Sequence, residues 1–317
     1  MPGGAGLGLR GASAPLLSGM VQDRSGVILV ERRVKPELLP HAPAELTRGR
    51  LRRLGEGVGK VVYASDHWVV KRERSPSEIL ALIAIWRAVR SFEHVLPAGL
   101  SHRLLEKPSR QLRLLRVLVH AFLLVLPRSA WYSSHLGAIL RTYRRKAKTG
   151  EQISRRFLAG TGLVPGTISF PPTWVDVGGW PGWLCVCEAT ERVEATLHQR
   201  LTELAEQSRF DEVETWLNRF LDLRTSGWER GVFSTDAHLK NFGVTGDRIV
   251  LLDPGGLTNK WHDVEDRLSV EEVVTEPHIQ LGLGPVLGSR PDIAARFNAA
   301  WKALVTRSGV RSHWPAA

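Results

Sequence analysis

The sequence contains little cysteine, and what it has does not suit a disulfide framework. Its 317 residues include two cysteines, Cys185 and Cys187, one residue apart within an apolar run. A strand would place both side chains on one face and strain any bridge between them. This excludes the disulfide-rich class of small secreted domains, and we interpret the pair as core residues in a reducing compartment.

Negative charge is also scarce. The chain has 32 acidic residues against 43 lysines and arginines, which gives a formal net charge of +11. Such a balance predicts an anionic partner, and the candidates are nucleotide phosphates, nucleic acid or an anionic membrane surface. Much of the charge is clustered, although a solvated face would explain the clusters equally well. The clustered residues are Arg48, Arg50, Arg52, Arg53, Arg141, Arg144, Arg145, Lys146 and Lys148.

Long apolar runs are missing. The most apolar stretch, residues 114–126, covers 13 positions and contains Arg116 and His120, whereas a membrane span needs about 20 residues. The first residues have no apolar core of signal-peptide length, and no acidic residue precedes Asp23. We predict a flexible leader, with a transit peptide as the alternative, and a cytoplasmic protein that could also associate peripherally with a membrane.

The composition is otherwise that of a globular protein, with 43% hydrophobic and 24% charged residues in a chain long enough for two lobes. Alternation and turn residues predict a glycine-rich hairpin near 51–63 and a second hairpin over 167–187. Helical patterns predict a helix starting near Ser77, a basic helical region over 127–160 and an amphipathic helix over 210–226.

Three polar residues near the end of this pattern have the spacing that phosphoryl transfer requires. Asp236 and Asn241 are five positions apart, and Asp253 follows 17 positions after Asp236, beyond a short hairpin. A loop carboxylate and a loop amide can therefore face a second carboxylate at the end of the next strand. Phosphoryl transfer uses a carboxylate toward the acceptor hydroxyl, ligands for Mg²⁺ and cations on the phosphates.

The segment Asp236-Ala-His-Leu-Lys-Asn241 resembles the catalytic loop of protein-kinase-like enzymes, and Asp253-Pro-Gly255 resembles their metal-binding Asp-Phe-Gly motif. The resemblance implies Asp236 as catalytic base, Lys240 as a cation on the transferred group, and Asn241 with Asp253 as Mg²⁺ ligands. His238 resembles the loop of aminoglycoside, choline and bacterial lipopolysaccharide-core sugar kinases. This implies a small-molecule or sugar hydroxyl as the acceptor.

Glycines upstream resemble the phosphate-covering loop of the same enzymes. Gly55 and Gly57 are followed by Val62 at the expected distance, but Lys60 stands where the third glycine would be and Gly59 comes one position early. The resemblance implies that Gly55, Gly57, Gly59 and Val62 contact ATP.

The strand residues Val69-Val70-Lys71 resemble those that deliver a lysine to the α- and β-phosphates. Glu78 would then be the helix glutamate that holds Lys71 in place. The separation of seven positions is short for this pairing, so Glu73 and Glu93 stay as alternatives.

The run from Leu184 to Glu188 resembles the fifth strand leading to the hinge, so the resemblance implies that Glu188-Ala189-Thr190 binds adenine. Two departures from the pattern stand out. Ser234 and Thr235 replace the pair that usually precedes the aspartate, and Pro254 replaces the phenylalanine of the metal motif.

These observations predict an α+β, bilobal protein-kinase-like fold that uses ATP and Mg²⁺. Residues 1–50 would form a leader and first strand, residues 51–187 a small lobe with a basic helical insertion at about 100–160, and residues 188–317 the hinge and helical lobe. The alternatives are a kinase-fold binding module without transfer, a protein kinase, and a basic membrane-surface or nucleic-acid-binding protein. Nucleic acid is the least expected partner.

Overall fold

The structure is a computed structural model that describes residues 37–57, 59–91, 135–178, 182–271 and 274–315. A β-sheet formed by the first part of the chain precedes a mainly helical second part, which confirms the predicted α+β class. The described residues between 37 and 191 are called the sheet region below, and those from 195 to 315 the helical region.

The sheet region is built on six strands in the order β1-β5-β6-β4-β3-β2. Neighbouring strands are antiparallel except for β1, which runs parallel to β5. Val61 and Tyr63 show the alternating burial of a strand with one face on the core, while β2 is exposed throughout as an edge strand. The strands are β1 (Glu37–Leu38), β2 (Arg52–Glu56), β3 (Lys60–Ala64), β4 (Trp68–Glu73), β5 (Thr167–Gly178) and β6 (Gly182–Glu191).

Three helices belong to the sheet region: α1 (Ala44–Thr47), α2 (Pro76–Ser91) and α3 (His135–Ile153). Helices α2 and α3 pack together through a small apolar cluster of Ile79, Leu80 and Leu140. Helix α3 continues into a π-helical turn, Ser154–Leu158. Helix α3 and this turn belong to the described part of the predicted basic insertion. Residues 92–134, with the apolar stretch 114–126, lie outside the described residues.

The helical region contains the larger apolar core. Helix α5 is the amphipathic helix predicted over 210–226, and its residues Val213, Leu217 and Phe220 are buried at helical spacing. Helix α4 begins at a capping box formed by Thr196 and Gln199. The helices are α4 (Leu197–Glu206), α5 (Phe210–Trp228), α6 (Trp261–Glu271), α7 (Pro277–Gln280), α8 (Gly284–Leu287), α9 (Pro291–Leu304) and α10 (Arg307–His313). None of the helices in the described part of the chain combines the length and the apolar character needed to cross a bilayer.

Short strands inside the helical region fix two loops side by side. One sheet contains β7 (Ala195–Thr196), β9 (Phe242–Thr245) and β10 (Arg248–Leu251), and a second pairs β8 (Phe233–Ser234) with β11 (Leu257–Thr258). The intervening loops, 235–241 and 252–256, are joined by backbone hydrogen bonds of 2.8 Å from Thr235 to Gly256 and from Leu252 to Asn241. The buried strands thus place both loops in a defined register.

The interpretation of Cys185 and Cys187 as core residues is wrong, because both are exposed. Burial alternates along β6, and Val186 between them takes the inward position. Trp174 lies opposite Cys185 in the hairpin and is likewise exposed, so the outer face of β5 and β6 carries these side chains.

Candidate functional site

A cleft of about 710 Å³ is lined by side chains from the sheet region, the helical region and helix α3. This volume lies within the range usual for small-molecule sites. Most of the residues predicted from the sequence line it, and Glu78 and Glu188 do not. The predicted residues in its wall are Gly55, Gly57, Gly59, Val62, Lys71, Thr190, Asp236, Lys240, Asn241 and Asp253.

The two neighbouring loops bring Asp236, Asn241 and Asp253 together on the helical side of the cleft. The Asn241 amide Nδ2 donates to the carbonyl oxygen of Asp236 at 3.5 Å, and the Asn241 carbonyl accepts from the backbone N–H of Asp253 at 3.4 Å. A Cβ at Gly256 would lie 3.0 Å from the Cβ of Asp236, so glycine permits the close approach of the loops. Asp236 and Asp253 both stay exposed to the cleft.

The oxygens of these residues suit a hard cation. Asp253 Oδ1 accepts from Gly255 N at 3.0 Å, and within the described residues no donor contacts its Oδ2 or the Oδ1 of Asn241. Mg²⁺ is commonly held by one or two carboxylates together with substrate phosphates. The described residues contain no group of three His, Cys, Asp or Glu side chains that could hold a metal by themselves, so water or substrate oxygens would have to complete the ligand set.

Lys71 extends from β4 toward the helical side. Its Nζ donates to the carbonyl oxygen of Leu252 at 2.9 Å, directly before Asp253. The cleft walls remove part of the water around the ammonium and thereby lower the pKa of Lys71, and the nearby Lys60 lowers it further. Asp253 and the more distant carboxylates oppose this shift. The Lys71 side chain therefore crosses the cleft and places its ammonium group near the Asp253 carboxylate.

Glu78 does not hold Lys71. Its carboxylate accepts two hydrogen bonds from Arg72, at 2.9 and 3.0 Å, and a third from Ser75 N at 2.9 Å. The Ser75 hydroxyl accepts from Glu78 N in return, so this pair forms the capping box of α2. Consecutive strand residues point to opposite faces, so the carboxylate that binds Arg72 lies on the wrong face for Lys71.

The other two glutamates named as partners do not replace it. Glu73 is exposed at the end of β4, and the described residues show no bond between it and Lys71. Glu93 lies outside the described residues.

The glycine-rich turn joins β2 and β3, with Val58 outside the described residues. Among the described residues, nothing lies within 4 Å of a Cβ at Gly55 or Gly57, so a ligand could approach this backbone closely. Gly59 differs, because a Cβ there would lie 2.7 Å from the hydroxyl of Tyr143 in α3. The third glycine of the turn thus packs against protein rather than facing open space.

The far end of the cleft is formed by the segment that follows β6. Thr190 lines the cleft, whereas Glu188 binds Arg155 at 2.9 Å and does not. The lining continues along the chain through Val193, and none of the hydrogen bonds in the described part of the structure uses the backbone N–H or C=O of this residue. A Cβ at Gly243 would lie 2.8 Å from Val193, so glycine lets the segment pack closely on β9.

Helix α3 supplies a cleft wall that the sequence analysis missed. Tyr143, Lys146, Ala147 and Glu151 line the cleft, and a Cβ at Gly150 would overlap the carbonyl oxygen of Pro254. The spacing of these residues by three and four positions is the signal that could have identified one helical face. The basic insertion therefore contributes to the candidate site.

A histidine of the loop that carries Asp236 is paired with a histidine of α4. The rings of His198 and His238 are stacked at 6.4 Å, and His238 Nδ1 accepts from Lys240 N at 3.2 Å. Partial burial, followed by the charge of Lys240, lowers the pKa of both histidines. His238 thus supports the loop as a hydrogen-bond acceptor, and the exposed Lys240 side chain lines the cleft.

Comparison of the sequence with known proteins does not assign the chain to a family. No family model matches the chain, and no curated protein shows significant similarity to it.

Proposed function

We propose that this protein is an ATP- and Mg²⁺-dependent phosphotransferase with a bilobal, protein-kinase-like fold. The sheet region would be the smaller lobe and the helical region the larger one. One observation carries the proposal: Lys71 spans the cleft to the carbonyl of Leu252, next to the loops that carry Asp253, Asn241 and Asp236. A phosphate-binding cation, two oxygen ligands for a metal and a free carboxylate are the parts that phosphoryl transfer needs.

The nucleotide would lie along the sheet side of the cleft. Its adenine would meet the unpaired backbone groups of Val193, with Thr190 beside it and Val62 above the ring. The open backbone at Gly55 and Gly57 would cover the phosphates, and Lys71 would bind them. In this proposal the adenine contact therefore lies at residues nearer Val193 and not at Glu188.

Mg²⁺ would be held by Asp253 and Asn241 together with the phosphate oxygens. This assignment rests on the free oxygens of the two side chains and on the preference of Mg²⁺ for such ligands. The bound ion would neutralise part of the charge on the phosphates.

Asp236 would orient the acceptor hydroxyl and accept its proton as the γ-phosphoryl group is transferred. Its carboxylate has one hydrogen bond in the described structure, a long one of 3.4 Å from His238 N, so it is available to a substrate. The exposed Lys240 would stabilise charge on the transferring group. The acceptor would be a hydroxyl of a small molecule or sugar, an assignment that rests on the resemblance around His238.

Nucleotide binding and metal dependence test this function directly. We expect MgATP to raise the Tm of the wild-type protein, and ATP without Mg²⁺ to raise it less. Asp253→Asn should remove the Mg²⁺-dependent part of the shift, whereas Asp247→Asn, in the exposed turn between β9 and β10, should retain it. No shift with MgATP in the wild-type protein would refute the proposal.

Turnover is measured separately from binding. The wild-type protein with [γ-³²P]ATP and a panel of hydroxyl-bearing small molecules and sugars should yield labelled product, and Asp236→Ala should abolish it. Binding of MgATP without any hydrolysis or transfer would identify the chain as a nucleotide-binding module.

A further inference from the structure

Lys60 has no role in the function proposed above, yet it lies in the phosphate part of the cleft. It is the first residue of β3 and directly follows the glycine turn. Val62, on the same face two residues later, is paired with Lys71 on β4. Residues that are diagonal across two strands lie about 7–8 Å apart at their Cα atoms, within reach for long side chains. Lys60 and Lys71 thus present two ammonium groups to one surface.

Glu151 is the partner of Lys60. Their side chains form an ion pair across the cleft, with 28% of Lys60 and 32% of Glu151 exposed. The pair joins β3 to α3, so it links the glycine turn to the helix. Both residues line the cleft, which places the pair where the phosphates of a nucleotide would lie.

The position of Glu151 is fixed by its helix and not by the ion pair alone. Gly150, the preceding residue, packs directly on the carbonyl of Pro254. One face of α3 contacts the metal-binding loop in this way, and Tyr143, two turns earlier, contacts Gly59. Because α3 is packed against other segments at both Tyr143 and Gly150, the Glu151 carboxylate stays in place if Lys60 turns away from it.

The two ammonium groups repel each other. This repulsion contributes, after burial, to the lowered pKa of Lys71, while Asp253, Glu151 and Glu188 oppose the shift. Lys60 is ion-paired with Glu151. A triphosphate carries several negative charges, so its oxygens can contact both ammonium groups at once and compete with Glu151 for Lys60.

We infer that Lys60 is a phosphate-binding residue of the nucleotide site, which Glu151 holds in the free protein and releases when the phosphate chain binds. The inference rests on the proposed nucleotide function. It gives the lysine at the third glycine position a binding role, and it makes Glu151 a competitor of the nucleotide. The two residues therefore have opposite effects on affinity.

Titration with MgATP and with adenosine, which lacks phosphates, tests this inference. We expect Lys60→Met to weaken MgATP binding at least tenfold and to change adenosine binding less than twofold. Lys60→Arg should restore most of the loss. Glu151→Gln should bind MgATP at least threefold more tightly, and the double variant should behave like Lys60→Met. Each variant is first compared with the wild type for its Tm without ligand.

Two control variants change the net charge by the same amount as Lys60→Met and Glu151→Gln, but at exposed positions outside the cleft. Lys148→Met removes a lysine from the solvent-exposed side of α3, and Glu206→Gln removes an exposed carboxylate at the end of α4. Both should bind MgATP like the wild type. A loss in Lys148→Met equal to that in Lys60→Met would show a general charge effect and overturn the inference.

The remaining outcomes are equally decisive. Wild-type affinity for MgATP in Lys60→Met would exclude a phosphate contact. A loss of MgATP affinity in Glu151→Gln as large as in Lys60→Met would show that the pair supports the cleft, and would overturn the competition. If the wild-type protein binds neither MgATP nor adenosine, the proposed function itself fails.

Discussion

The two walls of the cleft differ in charge and in how they are held. The helical wall presents Asp236 and Asp253 on loops fixed by backbone hydrogen bonds and by the buried strands β9 and β10. The sheet wall presents Lys60, which is ion-paired with Glu151, and Lys71, which donates to the carbonyl of Leu252 on the helical side. The carboxylates thus lie on loops fixed by their backbone, whereas each lysine side chain is held by a partner on another segment.

Because of this difference, we expect the two walls to have different roles in binding and in the reaction. Carboxylates that bind a metal and a reacting hydroxyl gain most from a rigid support, because small displacements of catalytic groups reduce rates strongly. Cations that follow a flexible phosphate chain can exchange partners when the ligand arrives. The following predictions test whether the helical wall governs the reaction and the sheet wall governs affinity.

The largest effect is expected at Asp236. Asp236→Ala should lower kcat for phosphoryl transfer by about 10²–10⁴-fold, because a positioned general base contributes that much. The Kd for MgATP should change little, since Lys71, Asn241 and Asp253 remain. Steady-state kinetics and equilibrium titration measure the two quantities. An unchanged kcat in Asp236→Ala would show that Asp236 is not the catalytic base. Asp247→Ala, in an exposed turn, is the matched control.

The contact of α3 with the loop 252–256 should be sensitive to a single methyl group. Gly150→Ala places a Cβ on the carbonyl of Pro254, and forced overpacking costs about 1–3 kcal/mol. We expect a lower free energy of unfolding and weaker Mg²⁺-dependent nucleotide binding. Chemical denaturation measures the first effect. Gly49→Ala, where nothing lies within 4 Å of the new Cβ, should have neither effect.

A stability effect without an affinity effect is expected at Glu78. Glu78→Gln weakens the bonds of a largely buried carboxylate to Arg72 and Ser75, and should cost about 2 kcal/mol. Because Glu78 faces away from the cleft, the Kd for MgATP should stay near the wild-type value. A large loss of MgATP affinity at unchanged stability would instead restore the predicted pairing with Lys71. Glu73→Gln, at an exposed position of β4, is the control.

The smallest effect concerns the pair formed by His198 in α4 and His238 in the loop 235–241. Burial lowers the pKa of His198 and His238 from 6.5 in the folded state. The unfolded chain therefore takes up protons first as the pH falls below about 6.5, and the folded state loses stability. The double variant His198→Gln/His238→Gln should lose less stability than the wild type between pH 7 and 5 in urea unfolding. An identical pH dependence of stability in the variant and the wild type would contradict the lowered pKa of the two histidines.

The loops 235–241 and 252–256 illustrate what local sequence can predict. Asp236, Asn241 and Asp253 lie within 18 residues; the strand pair β9–β10 lies between Asn241 and Asp253, and the pair β8–β11 flanks the whole segment. Because the contacts that bring the three residues together are close in sequence, their spacing was enough to predict that they converge. Glu78 shows the limit, because its distance from Lys71 along the chain carried no information about the face on which it would lie.

Periodicity and short-range spacing were sufficient to predict the α+β class, helix α5, the glycine turn and the three polar residues of the helical wall. The partners of the lysines, the position of Val193 in the cleft lining and the exposure of Cys185 and Cys187 depend on three-dimensional packing. Helix α3 reaches the cleft from about 75 residues beyond Lys71. Contacts between segments so far apart are set by packing, and no local pattern in the sequence encodes them.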